Sequence, residues 1–242
     1  MLFIVMHKIN QEIAAGGPPR KDLVEGMGKL IGGTIAAGKL HDADGLLGAE
    51  TRVRLKWSGG QRTMTRGPYA GENELVAGYL KIKVDTMDEA VQWATRYAET
   101  VGANEIEVGP ITEAWDIGVA PRPEGHVPLR VLLLHKADRA TEAGTPISPE
   151  AKQKLGALVG EMKSAGVFLG LESLTPSVTA KRLQRVAGKS TWTDGPFTES
   201  KELISGYTAL KVDSQEEAIA WATRYAEILG DIEVDVREVV AS

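Results

Sequence analysis

The sequence predicts an α+β fold: two tandem βαββαβ units in one chain, with their sheets packed against each other. Two observations carry this and a third joins them. The chain of 242 residues repeats itself. Each repeat runs strand, helix, strand, strand, helix, strand, with an extra strand or hairpin, which is the ferredoxin-like order. That order puts helices on one face of an antiparallel sheet only, so the other apolar face needs a cover, and a second copy of the same sheet supplies it.

The repeat has an offset of 128 residues. His7-Lys8 falls on His135-Lys136, Gly67-Pro68 on Gly195-Pro196, and Gly78-Tyr79 on Gly206-Tyr207. The segment Trp93 to Glu99 recurs unchanged as Trp221 to Glu227, and residues 2–100 match 130–228 at 35 of 99 positions without a gap. Near the end a two-residue slip aligns Ile106-Glu107-Val108 with Ile232-Glu233-Val234. A duplication and fusion explains this, and periods above 100 residues are too long for a solenoid. The organisation is a first repeat at 1–114, a linker at 115–128 marked by Pro121, Pro123, Gly125 and Pro128, and a second repeat at 129–242.

The elements follow in order in the second copy. Leu129 to Leu134 is an apolar run ending at His135 and reads as a buried strand. Ser148 is a good N-cap and Pro149 sits at N1, where its missing N–H costs nothing. Leu155, Leu158, Val159 and Met162 recur at helical spacing until Gly166. Val167 to Leu171 is a second strand, Val178 to Val186 a third, and the chain turns at Gly188 and extends to Thr193. Asp194-Gly195-Pro196-Phe197 signals a turn, and Ile204 to Val212 the next strand. Ser214-Gln215-Glu216-Glu217 is a capping box, as is Thr86-Met87-Asp88-Glu89 in the first copy. Ala218, Trp221, Ala222 and Tyr225 share one helix face, and Ile232 to Val240 closes the unit.

Composition narrows the function. With 28 Lys and Arg against 33 Asp and Glu, the net charge is −5, which argues against sequence-independent nucleic-acid binding. The absence of cysteine removes disulfides, thiolate nucleophiles and cysteine-ligated metals. No apolar run approaches the ~18–20 residues of a membrane helix. The N-terminus lacks a basic n-region, so the expected location is the cytoplasm. Phosphate-binding, dinucleotide, zincin and nucleophile-elbow motifs are missing. Gly16-Gly17-Pro18-Pro19 is a loop, without the Lys-Ser/Thr pair of a phosphate cradle.

Thr193-Asp194-Gly195-Pro196-Phe197, then Glu199, Lys201, Glu202 and Gly206-Tyr207, resembles the signature of the YCII-related, or DGPF-domain, family. Leu174-Thr175-Pro176-Ser177 with Thr179-Ala180 resembles it too. The resemblance covers the second copy and, through the repeat, the first. It implies a bacterial protein with the dimeric α+β barrel fold, here as an intrachain pseudo-dimer, with further self-association left open. It also implies a His and Asp catalytic pair and, through a suggested role beside alternative sigma factors, a link to transcription. The first copy departs from the signature. Arg66 stands in place of Asp194, and Leu46-Leu47-Gly48-Ala49 in place of Leu174-Thr175-Pro176-Ser177.

His135 and His7 end the first strand of each copy, where imidazole suits acid–base work. A half-buried strand histidine bonded to a backbone group is the competing reading. Asp194 either orients His135 as the catalytic partner or caps its own turn. Tyr79 and Tyr207 follow strand glycines, either to bind ligand or to pack between sheets. Trp93, Trp221, Tyr97 and Tyr225 read as helix-to-sheet core. His41, Asp42 and Asp44 match no metal spacing, and His126 lies in the linker. The function expected is small-molecule binding, or cofactor-independent isomerisation or elimination. His135 and Asp194 would be catalytic, and His7, Arg66, Tyr79 and Tyr207 would bind substrate, with Arg66 gripping a carboxylate. No cofactor or metal is required. The alternative is a non-catalytic accessory protein that contacts a sigma factor.

Overall fold

A computed structural model describes residues 1–14, 19–197 and 200–240. Gly16, Gly17 and Pro18 of the glycine-rich loop, and Glu199 of the signature, lie outside the described residues. The first repeat forms β1 (Leu2–Lys8), α1 (Gln11–Ala14), α2 (Lys21–Ala36), β2 (Leu40–Gly45), β3 (Val53–Ser58), β4 (Gln61–Arg66), β5 (Val76–Val84), α3 (Met87–Val101) and β6 (Glu105–Pro110). The second forms β7 (Leu129–Lys136), α4 (Arg139–Glu142), α5 (Pro149–Ser164), β8 (Phe168–Ser173), β9 (Lys181–Val186), β10 (Lys189–Asp194), β11 (Ile204–Lys211), α6 (Gln215–Leu229) and β12 (Ile232–Glu238). Residues 115–128 contain turns and bends only.

Local chemistry sets these bounds. The Ser148 side chain accepts from Ala151 N at 3.1 Å and Ser214 from Glu217 N at 3.3 Å, so both predicted caps close their helices. Glu217 reaches back to the N–H of Asp213, one residue beyond the N-cap, and Glu89 does the same to Asp85. The expected third strand begins three residues later than Val178. Ser177–Thr179 is a 3-10 turn, because the Ser177 backbone carbonyl takes the Ala180 N–H at 2.9 Å.

Two six-stranded antiparallel sheets result, in the orders β10-β9-β12-β1-β11-β2 and β4-β3-β6-β7-β5-β8. Each draws four strands from one repeat and two from the other. β1 lies between β11 and β12, while β7 lies between β5 and β6. The repeats therefore exchange their leading β-α-β segments, and a sheet is not the product of one repeat. Helices follow the exchange: α2 packs on α6, with Trp221 Nε1 donating to Thr34 Oγ1 at 2.8 Å, and α3 packs on α5.

The sheets pair as predicted. One core runs between them, joining Ile4, Met6, Ile204 and Tyr207 of one sheet to Val76, Tyr79, Leu132 and Leu134 of the other. Two further cores lie between each sheet and its helices. Single bridges, Leu46 to Ile111 and Leu174 to Val239, link the two sheets at their margins.

The pairing also corrects the expected two-residue slip. His135 faces Ile106 and His7 faces Val234, so the 128-residue offset holds through the last strands, and Glu107 corresponds to Asp235. Backbone pairing across β6 and β12 fixes this register, which residue identity alone misaligned.

Candidate functional site

His7 and His135 sit at equivalent points of central strands, and both are buried. His7 Nδ1 pairs with Tyr225 Oη at 2.7 Å. Burial, with the Arg52 and Lys8 charges, pushes its pKa down to about 3, so the ring is neutral near pH 7. Burial also lowers His135, and Asp138 partly offsets that. The Tyr97 ring meets His135 edge-on at 6.2 Å.

Asp194 is not brought to His135. It ends β10, the outer strand of the other sheet, with its side chain 78% exposed and bonded to Lys181 Nζ at 2.6 Å. The strand exchange puts His135 in the other sheet, but the separation itself follows from Asp194 lying on an edge strand while the histidine strand is central. The histidine sharing a sheet with Asp194 is His7, three strands distant, or about 14 Å at ~4.8 Å per strand. Arg66 is likewise not in a cleft: its exposed guanidinium reaches Asp88 Oδ1 at 3.3 Å. Tyr79 and Tyr207 pack together in the core between the sheets, ring centroids 4.9 Å apart. Tyr207 Oη donates to Asp42 Oδ2 at 2.6 Å. Asp42 and Asp44 also face Lys81, and Asp44 takes Arg130 at 2.8 Å, so these two acids are spent on cations. The glycines before the tyrosines serve close approach, since a Cβ on Gly206 would lie 2.6 Å from His7 Cε1.

A cavity of about 810 Å³ opens in the first half. Ile9, Ile13 and Leu23 line one side, Leu46 to Glu50 with Arg52 another, and Pro68 to Gly71 a third, with Leu203 and Leu229 completing the apolar wall. Two of the lining residues, Arg52 and Tyr69, carry donors buried behind the wall. Arg52, its side chain wholly buried, donates from Nε to Leu47 O at 2.9 Å, and from Nη1 to Glu107 Oε1 at 2.8 Å and Ile204 O at 2.7 Å. Its Nη2 has no partner among the described residues, and neither has Tyr69 Oη. Burial raises the Tyr69 pKa, so the phenol keeps its proton.

The second half has a guanidinium in the same place from a different residue. Arg237 donates to Thr175 O and to Val76 O, the counterparts of Leu47 O and Ile204 O. Arg52 and Gly109 stand one step beyond the Val53–Val108 pair that ends the β3–β6 ladder, as Ala180 and Arg237 stand one step beyond the Lys181–Val236 pair of β9 and β12, so the large and small residues have changed places. A repeat alignment shows Arg52 against Ala180 and Gly109 against Arg237 as two unrelated differences; only the cross-strand pairing shows them as one exchange. Beside each guanidinium stands an ion cluster: Lys136 with Glu74 and Glu107, and Lys8 with Asp235 at 3.1 Å. The repeated His-Lys dipeptide was the available signal for this cluster.

The fold and cavity define a class: a tandem α+β protein with two facing sheets and a largely apolar cleft bordered by Arg52 and Tyr69. The YCII-related domain matches residues 1–114 and again 130–239, so the chain belongs to the YCII-related family as a tandem duplication. No curated protein matches the chain.

Proposed function

We propose that this chain is a small-molecule-binding protein with its competent cleft in the first half. What supports this reading is the cavity of about 810 Å³, apolar over most of its wall, with Arg52 and Tyr69 among its lining residues and their Nη2 and Oη buried without partners among the described residues. Its volume falls in the range of ligand sites, and a few fixed polar groups on an apolar wall orient a ligand. A buried donor without an acceptor costs about 1–3 kcal/mol, which a ligand oxygen recovers. Proton transfer by His135 and Asp194 gains no support from their placement, and His7 is a neutral ring held by Tyr225. Docking to a sigma factor draws nothing from the cleft.

A thermal-shift screen of small acids, amides and phenols tests the proposal, since a bound ligand raises the melting temperature by mass action. Hits are expected to bind at one site per chain and to be lost in Ala14→Trp, which fills the cavity from an exposed wall position. Hits that bind Ala14→Trp as well as the parent would place the ligand elsewhere and defeat the reading.

A further inference from the structure

The second half shows what the first-half cavity lacks. There the carboxylate of Glu142, on α4, closes the equivalent place. Its Oε1 lies 3.5 Å from Arg237 Nη2, and its Oε2 accepts from Ser177 N at 3.0 Å and from Ser177 Oγ. Subtracting the 128-residue offset turns Glu142 into Ala14, Ser177 into Ala49 and Thr175 into Leu47. Ala14 and Ala49 both line the cavity, and α1 stands where α4 stands in the other half. The first half thus retains the guanidinium, now from Arg52, and the turn that receives the carboxylate, but Ala14 brings no carboxylate to it; among the described residues, Glu50 folds its own carboxylate over Gly48 of that turn. Two differences line up in the repeat: Ala14 replaces the acid, and Nη2, the Arg52 nitrogen that corresponds to the one meeting Glu142 in Arg237, has no acceptor among the described residues.

We propose that the cavity takes an organic monocarboxylate, whose carboxylate sits on Arg52 as the Glu142 carboxylate sits on Arg237. This rests on the cavity being a ligand site. The charge is limited to one because Glu50, Asp116 and Glu202 also line the space and repel a polyanion. The body is apolar because Ile9, Ile13, Leu23, Leu203 and Leu229 give the wall most of its large side chains. Lys201 is the other cation of the lining. Glu142 acts as a built-in ligand for the second half, which leaves a duplicated protein with one open site and one filled by its own side chain.

Titration calorimetry with octanoate and its neutral analogue octanamide tests this on the full chain. Octanoate is expected to bind one per chain and about 10–100-fold tighter than octanamide, the factor a charge-assisted hydrogen bond supplies. Ala14→Glu supplies the missing carboxylate in place; it should abolish octanoate binding and raise the melting temperature. Glu142→Ala should open the second place and raise the stoichiometry from one to two. Equal affinity for the two probes, or octanoate binding untouched by Ala14→Glu, would overturn the carboxylate assignment while leaving the cavity a ligand site. Failure of both probes to bind would overturn it too, and the Ala14→Trp screen then decides separately whether the cavity binds anything.

Discussion

At the scale of single residues, the clearest case is His7. A histidine at a strand end suits proton transfer in sequence, but here it is buried, held by Tyr225 and neighboured by the cations Arg52 and Lys8. Its folded pKa of about 3 lies below the ordinary value of 6.5. Between these two pH values the unfolded chain binds a proton that the folded chain does not, so stability falls as the pH drops below 6.5. The loss is about 1.4 kcal/mol per pH unit, continuing towards pH 3. The buried acid Asp235 adds to acid lability in the same direction. Burial raises its pKa, but Lys8 and Arg182 outweigh that and hold it below its ordinary value. His7→Asn removes only the imidazole contribution. Urea unfolding at pH 7 and pH 4.5 should show a smaller drop in stability for His7→Asn than for the parent; equal drops would mean that His7 titrates normally in the folded chain.

Among the elements, the turn after the hairpin is the most constrained. The sequence presents Gly195-Pro196 and Gly67-Pro68 as repeated turn signals, and the structure gives the glycines a specific reason. A Cβ on Gly195 would come within 1.7 Å of Ser177 O, and one on Gly67 within 1.8 Å of Ala49 O. The 3-10 turn and the hairpin end touch backbone to backbone, so any side chain forces them apart. Gly195→Ala should therefore cost about 3 kcal/mol or more by overpacking. Gly156→Ala, in α5 with open space around its Cβ, should stabilise by about 0.5–1 kcal/mol through backbone entropy. Denaturant midpoints measure both, and a neutral Gly195→Ala would show that the two turns are free to separate. Helix starts, the hairpin and the strand order along the chain were legible because each depends on neighbours within a few residues. The short helices α1 and α4 escaped because four residues carry no periodicity.

For the whole molecule, the exchange of β1-α2-β2 with β7-α5-β8 governs both folding and the site. Each sheet needs a central strand from the other repeat, β1 in one and β7 in the other. A lone repeat therefore has an open slot between its fifth and sixth strands, unless its own first strand folds back or a second copy fills it. The residues from Leu46 to Arg52 carry the chain across to the other sheet, and the Leu46 to Ile111 bridge fixes that crossing. A fragment of residues 129–242 should accordingly form a dimer by mutual exchange, as expected of domain swapping. Sedimentation equilibrium measures this; a stable monomer would mean that the connecting segment, and not the sheet, decides the exchange.

The sequence by itself determined the duplication, the βαββαβ order, the helix caps and the pairing of two sheets. These follow from local propensity, periodicity and the need to cover an apolar face. Tertiary structure alone decided which histidine shares a sheet with Asp194, and it set His135 and Asp194 in different sheets. It also decided that one guanidinium is supplied by Arg52 in one half and by Arg237 in the other, and that Glu142 fills a place left open over Ala14. A strand can join either of two equivalent sheets without changing its own side-chain pattern, so partners across strands leave no trace in a linear repeat.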